Sequence, residues 1–304
     1  MRKIAKLASL VFACPLFTWA HTGSPVGIPV QMVVTVGHHY GHVPPTLTPD
    51  DLIVTQHYEP LLITNLAPLR GGHAGLEIFV LVDNYSNCEP GSKFEELRRF
   101  ISSQPSTTTV GVAYIQNGRL QVAENPTLDH ERAVRALNPP AGSKPASPFV
   151  ALTDLIRGWP QGSPRRVVLM ISNGVNPAAT DALRDPSADA ALEAAQRAGV
   201  IVYVIYHPSA DYLASDFSKL HSGQIQLAHV ADETGGEAYF LYYGPLPSLA
   251  PFLADLADHL ANQYLLEFLA NPGETGALQQ VTIKSKITDI EVMVPDKIWV
   301  PGRR

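Results

Sequence analysis

The run Leu76-Glu77-Ile78-Phe79-Val80-Leu81-Val82-Asp83 decides the fold, because six of its eight residues are apolar and it ends on a carboxylate. A strand without polar and apolar alternation is typical of a parallel sheet that is covered on both faces. Similar runs recur along the chain, separated by amphipathic stretches, which is the pattern of βαβ units. The sequence therefore predicts an α/β fold, a Rossmann-like and mainly parallel sheet with helices on both faces.

The other elements of this core follow from the same two periodicities. The predicted strands are rich in Val, Ile and Tyr, and they cover residues 76–83, 108–116, 166–172, 200–207 and 237–243. The predicted helices carry apolar residues at three- and four-residue spacing. They cover residues 93–103, 129–137, 148–159, 188–198 and 246–261. Gly199 is expected to end the fourth of them, and Thr234-Gly235-Gly236 to end a further one.

Both flanks of this core are predicted to be β-rich. Strands without intervening helices are expected at residues 30–36, 52–56, 61–65, 264–270, 278–285 and 290–294. Neither flank can bury a sheet face alone, so we expect the two to pair as one small β-sandwich. The predicted division is a signal peptide at 1–20, a β-rich segment at 21–74, the α/β domain at 75–263, and a β-rich segment at 264–304 that pairs with 21–74.

The first twenty residues are typical of a secretory signal. Basic residues from Arg2 to Lys6 precede an apolar run at 7–17 and the small-residue pattern Thr18-Trp19-Ala20. Export to the periplasm or the medium is the expected localisation. An alternative is lipid anchoring at Cys14, since residues 11–14 loosely match a bacterial lipobox, although Phe12 fits it poorly.

Composition argues against several classes of partner. The net charge is −6 over 304 residues, and the basic residues are scattered singly or in pairs, which disfavours a nucleic-acid or anionic-membrane surface. No segment reaches the roughly 20 consecutive apolar residues that span a bilayer. We therefore expect no nucleic-acid partner and no transmembrane segment.

Polar side chains mark three points where core elements begin or end. Asp83-Asn84-Tyr85-Ser86-Asn87 follows the first core strand, Ala146-Ser147-Pro148 opens a helix, and Ser172-Asn173-Gly174 follows another strand. Loops at the carboxyl ends of parallel strands meet at a crevice where the strand order reverses, and ligands bind there. The predicted ligand-contacting residues are Asp83, Tyr85, Asn87, Ser147 and Asn173.

In that order the three segments resemble the metal-ion-dependent adhesion site of a von Willebrand factor A domain. The family pattern is Asp-x-Ser-x-Ser after the first strand, Thr before a middle helix and Asp after the fourth strand. The chain also resembles related proteins of acidobacteria, through Leu47-Thr48-Pro49-Asp50-Asp51-Leu52 and Thr234-Gly235-Gly236. The resemblance covers about residues 30–300 and implies a binding or adhesion function.

Substitutions make this adhesion site degenerate. Tyr85 and Asn87 stand where the family has serines, and Asn173 replaces the second carboxylate. Asp83 and Ser147 remain as candidate metal ligands, so the resemblance leaves Mg²⁺ as an alternative to the expectation of no cofactor. The competing interpretation is a hydrogen-bonded strand end in which Ser147 caps the helix that begins at Pro148.

The sequence favours binding over catalysis. It contains no Gly-x-Ser-x-Gly elbow and no glycine-rich phosphate loop after the first strand. We expect a binding or adhesion module that engages a protein or cell-envelope partner through the crevice. A structural or assembly scaffold without an active metal site is the alternative, and an enzyme is favoured less than either.

Overall fold

The computed structural model describes residues 27–38, 45–71, 75–83, 92–139, 144, 146–160, 165–179, 184–208, 217–241 and 248–303. The predicted signal peptide with Cys14, and the predicted contact residues Tyr85 and Asn87, lie outside the described residues. Within the described part of the chain, no helix is both long and apolar enough to cross a membrane.

The elements are numbered in chain order. The strands are β1 Ile28–His38, β2 Leu52–Gln56, β3 Glu59–Pro60, β4 Ile63–Pro68, β5 Leu76–Asp83, β6 Thr109–Gln116, β7 Arg119–Thr127, β8 Arg165–Ser172, β9 Val200–Tyr206, β10 Ala238–Phe240, β11 Gln263–Ala270, β12 Ala277–Ser285, β13 Ile290–Met293 and β14 Lys297–Val300. The α-helices are α1 Ser92–Ser102, α2 His130–Ala136, α3 Pro148–Gly158, α4 Pro186–Ala198, α5 Phe217–Glu233 and α6 Ala250–Ala261. A short 3₁₀ turn, Pro49–Asp51, precedes β2.

The central sheet has six strands in the order β10-β9-β8-β5-β6-β7. Neighbouring strands run parallel except for β7, which is antiparallel to β6 at one edge. The first core strand, β5, lies in the middle, and the chain continues first to one side of it and then to the other. This is a doubly wound order, and its switch point lies between β5 and β8. The predicted α/β class is confirmed.

Helices cover both faces of this sheet. Ile78, Val80 and Val82 of β5 pack in a core that includes α1 and α6, whereas Phe79 and Leu81 pack in a second core with α3, α4 and α5. Successive residues of a strand point to opposite faces, so a strand buried on both faces needs apolar residues at every position. That requirement explains the uninterrupted apolar run from which the fold was predicted.

The two flanks form the predicted β-sandwich. Its sheets have the orders β13-β1-β11-β4 and β14-β12-β2-β3, so each sheet contains strands from both ends of the chain. Val34 and Val54 share one buried core with Phe268 and Ile283. On the outer face of the first sheet, Val33 packs against the α/β core. The sandwich is therefore confirmed, and it is joined to the α/β core by an apolar contact.

A buried polar network joins the two parts as well. The guanidinium Nε of Arg165, at the start of β8, donates to Gln263 Oε1 over 2.6 Å. Gln263 Nε2 in turn donates to Thr35 Oγ1 of β1 over 3.0 Å. Burial lowers the pKa of the Arg165 guanidinium to about 10. Paired donors and acceptors remove most of the cost of burying these groups, so the network fixes how the parts join.

Several elements differ from the sequence prediction. The edge strand β7 was missed, because most of its side chains are exposed and it contains Pro126. The Asn117-Gly118 turn before it, with φ of 51° and 81°, is the hairpin signal that could have revealed it. The helix α5 was not predicted as a segment, although its end at Thr234 was anticipated.

Some predicted boundaries were also wrong. The last helix begins at Ala250 rather than at 246, with Pro251 in its first turn. The strand predicted at 61–65 is Ile63–Pro68, where it pairs with β11. The tail contains one more strand than predicted, β14, which pairs with β12 although β13, a strand of the other sheet, lies between them in the chain. Pairing partners, rather than local composition, set these limits.

Replacing the fully buried Phe268 with alanine tests whether the flanking sandwich is needed for stability. We expect Phe268→Ala to lower the free energy of unfolding by about 3–5 kcal/mol, because it leaves a cavity in the sandwich core. Phe217→Ala is the matched control, since 63% of Phe217 is exposed, and its effect should be within about 0.5 kcal/mol. Urea unfolding followed by circular dichroism measures both. Equal effects for the two variants would contradict the described packing.

Candidate functional site

The candidate site lies where β5 and β8 end side by side. The two strands are parallel neighbours, and the register that pairs Val82 with Ile171 brings Asp83 next to Ser172. Ser172 Oγ donates a hydrogen bond to Asp83 Oδ2 over 2.9 Å. Only 2% of Asp83 is exposed, and Ser172 is fully buried. Asp83, the first predicted site residue, is therefore buried and hydrogen-bonded to Ser172.

The loop after β8 is fixed by its own side chains. The Gly174 amide donates to Ser172 Oγ over 3.1 Å, and the Val175 amide donates to Asn173 Oδ1 over 2.9 Å. Gly174 has a φ of 71°, and a Cβ there would lie 2.3 Å from the carbonyl oxygen of Gly223 in α5. Only glycine fits this close approach. The loop is therefore clamped between its internal hydrogen bonds and α5.

Ser147 lies at the start of α3 and is half-buried. It is the N-cap residue, and its Oγ accepts the Val150 amide over 3.4 Å, while Pro148 occupies the first turn. The same Oγ lies 3.1 Å from Ser187 Oγ at the start of α4. The capping geometry is the one that the competing interpretation of the sequence describes, and it ties the beginnings of two helices together.

A second polar cluster surrounds Ser187, and it was not predicted from the sequence. Asp185 is the N-cap of α4 and is buried; its Oδ1 accepts from the amide and the hydroxyl of Ser187 over 2.9 and 2.6 Å. Asn176 Nδ2 donates to Asp185 Oδ2 over 2.9 Å. The Asp185-Pro186-Ser187 sequence is an N-cap signal that could have placed this cluster.

The structure thus separates the described site residues into two groups. Asp83 and the loop of Asn173 belong to one network through Ser172, and Ser147 belongs to the other through Ser187 and Asp185. Asn173, like Asp83, is buried, at 1% exposure. Their direct contact with a ligand stays a prediction, and in this structure both side chains shape the loops.

The described residues do not fit the magnesium ion that the resemblance implies. Asp83 Oδ2 accepts from Ser172, Asn173 Oδ1 accepts from a loop amide, and Ser147 Oγ accepts from a helix amide. Mg²⁺ requires near-octahedral oxygen ligands, and it usually takes one or two carboxylates. Of the three predicted positions described, one carries a carboxylate, and the other two offer neutral oxygens that already accept hydrogen bonds within the protein.

The described residues here enclose little space. A cavity of about 10 Å³ lies beside Gly174, Asn176 and Asp185, against Lys219 of α5. Pockets for small ligands are typically about 300–1,000 Å³, so this one matches the size of a water molecule rather than that of a metabolite.

No protein-family model matches this chain, and no curated protein matches it either. Among solved structures it is similar to the VWA domain of SpRpn10, with 12% identity, TM-score 0.40, and coverage of 59% of this chain and 93% of that one. It is also similar to the vWF domain of the type V pili tip protein Mfa5 from Porphyromonas gingivalis, with 9% identity, TM-score 0.41, and coverage of 61% and 93%.

A third similar structure is proximal thread matrix protein 1 from the mussel byssus, with 13% identity and TM-score 0.40. The match covers 62% of this chain but only 46% of that protein. Because these identities and scores are low, the fold class rests on the strand order and the packing of this chain itself.

Titration with divalent ions tests whether the crevice binds a metal ion. We expect no saturable heat at this site when the full chain is titrated calorimetrically with Mg²⁺ or Mn²⁺, because the oxygens of Asp83, Ser147 and Asn173 are already hydrogen-bonded. Ser147→Ala should leave the titration unchanged and lower the free energy of unfolding by about 1 kcal/mol through loss of the helix cap. One-site binding that disappears in Ser147→Ala would overturn this assignment.

Proposed function

We propose that this chain is an exported von Willebrand A-type binding module, of the kind that it resembles in acidobacteria. It engages a protein or cell-envelope partner through a degenerate, metal-free adhesion site. The contact region is the crevice surface, which we define as Ser147, Asn176, Pro177, Ala178, Arg184 and Ser187. The observation that carries the proposal is the position of this surface, directly above the switch point of the sheet.

Hydrogen bonds within the described loop residues support a binding role. Ser172, Asn173 and Asp185 hold residues 172–175 and 185–187 by hydrogen bonds within the protein. A surface that is already ordered loses less conformational entropy when it binds, so more of the contact energy appears as affinity. Pro177, Ala178 and Arg184 are exposed on these fixed loops, where a partner can reach them.

The geometry of the serine side chains at this site does not favour catalysis. The Ser172 hydroxyl is fully buried and donates to Asp83, so it is not placed to attack a substrate. The Ser147 hydroxyl accepts a helix amide, which is a capping role. An activated nucleophile needs an adjacent base and access to substrate. We therefore propose binding without catalysis.

A scaffold function is the second candidate, and a different observation favours it. A cavity of about 340 Å³ lies where the sandwich meets the α/β core, lined by residues that include Met32, Gln196 and Ile298. Arg197 of α4 lies over the ring of Trp299 of β14, 4.2 Å from its centroid. If the chain acts as a scaffold, its working surface lies there or on the sandwich.

Charge reversal distinguishes the two candidates. A photo-crosslinking residue at Ala178 in the full chain first captures the partner from cell-envelope extract, and the purified partner is then titrated. We expect Arg184→Glu to weaken its binding at least tenfold, which corresponds to about 1.4 kcal/mol. Lys284→Glu, on an exposed position of β12, is the matched control and should change the affinity less than twofold. The scaffold function predicts the reverse, with Lys284→Glu disruptive and Arg184→Glu silent.

Export is proposed from the amino-terminal sequence and is tested by itself. The full chain with a carboxyl-terminal tag, expressed in a bacterium, should appear outside the cytoplasm with His21 as its first residue. Deletion of residues 7–17 should retain it in the cytoplasm, because the apolar run is what the export machinery recognises. Cys14→Ser should not change processing. Loss of processing in Cys14→Ser would instead indicate a lipid anchor at that residue.

A further inference from the structure

Three potential metal ligands meet at the edge of the central sheet, far from the crevice surface. Glu237 directly precedes β10, while Asp255 and His259 lie on α6. One ligand atom from each lies within 4.8 Å of the other two. The strand β10 is three places from β5 in the sheet, so this cluster is separate from Asp83.

Local structure explains why these side chains converge. Asp255 and His259 are four residues apart on one helix, which places them on the same face. The packing of Tyr239 in β10 against Phe252 in α6, with ring centroids 5.4 Å apart, holds the strand and the helix together. Glu237, two residues before Tyr239, is thereby brought to the same point.

The distances within the cluster suit a shared ion better than direct hydrogen bonds. His259 Nδ1 lies 3.6 Å from Glu237 Oε2 and 3.8 Å from Asp255 Oδ2. Good hydrogen bonds between nitrogen and oxygen measure about 2.7–3.2 Å. Two ligands bound to one tetrahedral Zn²⁺ at about 2.0–2.1 Å are separated by roughly 3.4 Å. A small contraction of the cluster would place all three atoms around one ion.

Neighbouring side chains hold two of the ligands in place. Tyr239 Oη donates to Asp255 Oδ2 over 2.8 Å, which orients the carboxylate and leaves it further lone pairs. The ring of the buried Tyr203 lies beside the imidazole of His259, with centroids 6.0 Å apart and a tilt of 32°. Outer-shell contacts of this kind orient the ligands of metal sites.

Charge also favours a cation at this point. Two carboxylates, those of Glu237 and Asp255, lie side by side here, and Glu291 is close enough to add its negative charge. Crowded carboxylates repel one another, and a divalent cation between them removes that repulsion. Side-chain exposures of 43% for Glu237 and 50% for Asp255 leave a path by which an ion can enter.

We propose that Glu237, Asp255 and His259 form a zinc site, with water completing the coordination. An imidazole with two carboxylates is a ligand set that suits Zn²⁺, whereas Mg²⁺ prefers oxygen alone. The ion ties the start of β10 to α6. This site does not depend on the proposed binding function, because it shares no residue with the crevice surface.

Competition titration of the metal-free full chain with Zn²⁺, using a chromophoric chelator, tests the site. We expect one equivalent of Zn²⁺ to bind, and Glu237→Gln and His259→Ala each to weaken that binding at least tenfold. Tyr239→Phe should weaken it roughly tenfold, since the orienting hydrogen bond is lost. His229→Ala is the control, because His229 on α5 is outside the group of converging ligand atoms, with its Nδ1 4.0 Å from Glu233 Oε1, and it should change nothing.

Two outcomes would overturn the proposal: absence of stoichiometric binding, or equal affinity in the parent chain and in Glu237→Gln. The second outcome would place the ion on side chains other than these three. Glu237→Gln preserves shape at a partly exposed position, so it keeps the test valid even if His259→Ala fails to fold. Ser147→Ala should bind Zn²⁺ as the parent chain does, which separates this result from that at the crevice.

Discussion

The burial of β5 and β8 between two layers of helices is the constraint on which the rest of the structure depends. A parallel strand in the middle of a sheet has both faces covered, so its side chains must be apolar and its backbone must be paired on both edges. All eight residues of β8 are buried, and those at 167–171 are apolar between the polar ends Arg165, Arg166 and Ser172. Polar side chains are then confined to the strand ends, which is why Asp83 and Ser172 meet there and why the functional loops begin at that edge.

The strands at the two ends of the chain also need partners to be stable. The sandwich strands are too few and too exposed to form a stable unit in either flank, and pairing β1 with β11 and β2 with β12 gives each a partner. Val33 and the Arg165–Gln263–Thr35 network then attach the sandwich to the α/β core. A buried guanidinium tolerates few alternative arrangements, because each lost partner leaves a charge without compensation. The network thus provides orientation where the apolar contact provides most of the free energy.

At the crevice, the predicted site residues accept hydrogen bonds from within the protein. Asn173 accepts a loop amide and Ser147 accepts a helix amide, and these are uncharged, local interactions that persist without an ion. The cluster of Glu237, Asp255 and His259 differs, since His259 Nδ1 lies 3.6 and 3.8 Å from the two carboxylates, which is longer than a good hydrogen bond. Both regions contain polar side chains. They differ in whether these side chains make hydrogen bonds of normal length with one another, and this difference separates a structural polar cluster from a candidate metal site.

The sequence by itself determined the fold class, since the apolar run of residues 76–83 and its repeats permit few arrangements other than a doubly wound sheet. It also located Asp83, Ser147 and Asn173 at element ends, because local caps and strand limits are encoded over a few residues. The polar strand β7 and the helix α5 escaped prediction, because their pairing and packing override weak local patterns. Only the tertiary structure brought Ser147 to Ser187 and Glu237 to His259, because contacts between residues far apart in the chain depend on how the helices and strands pack.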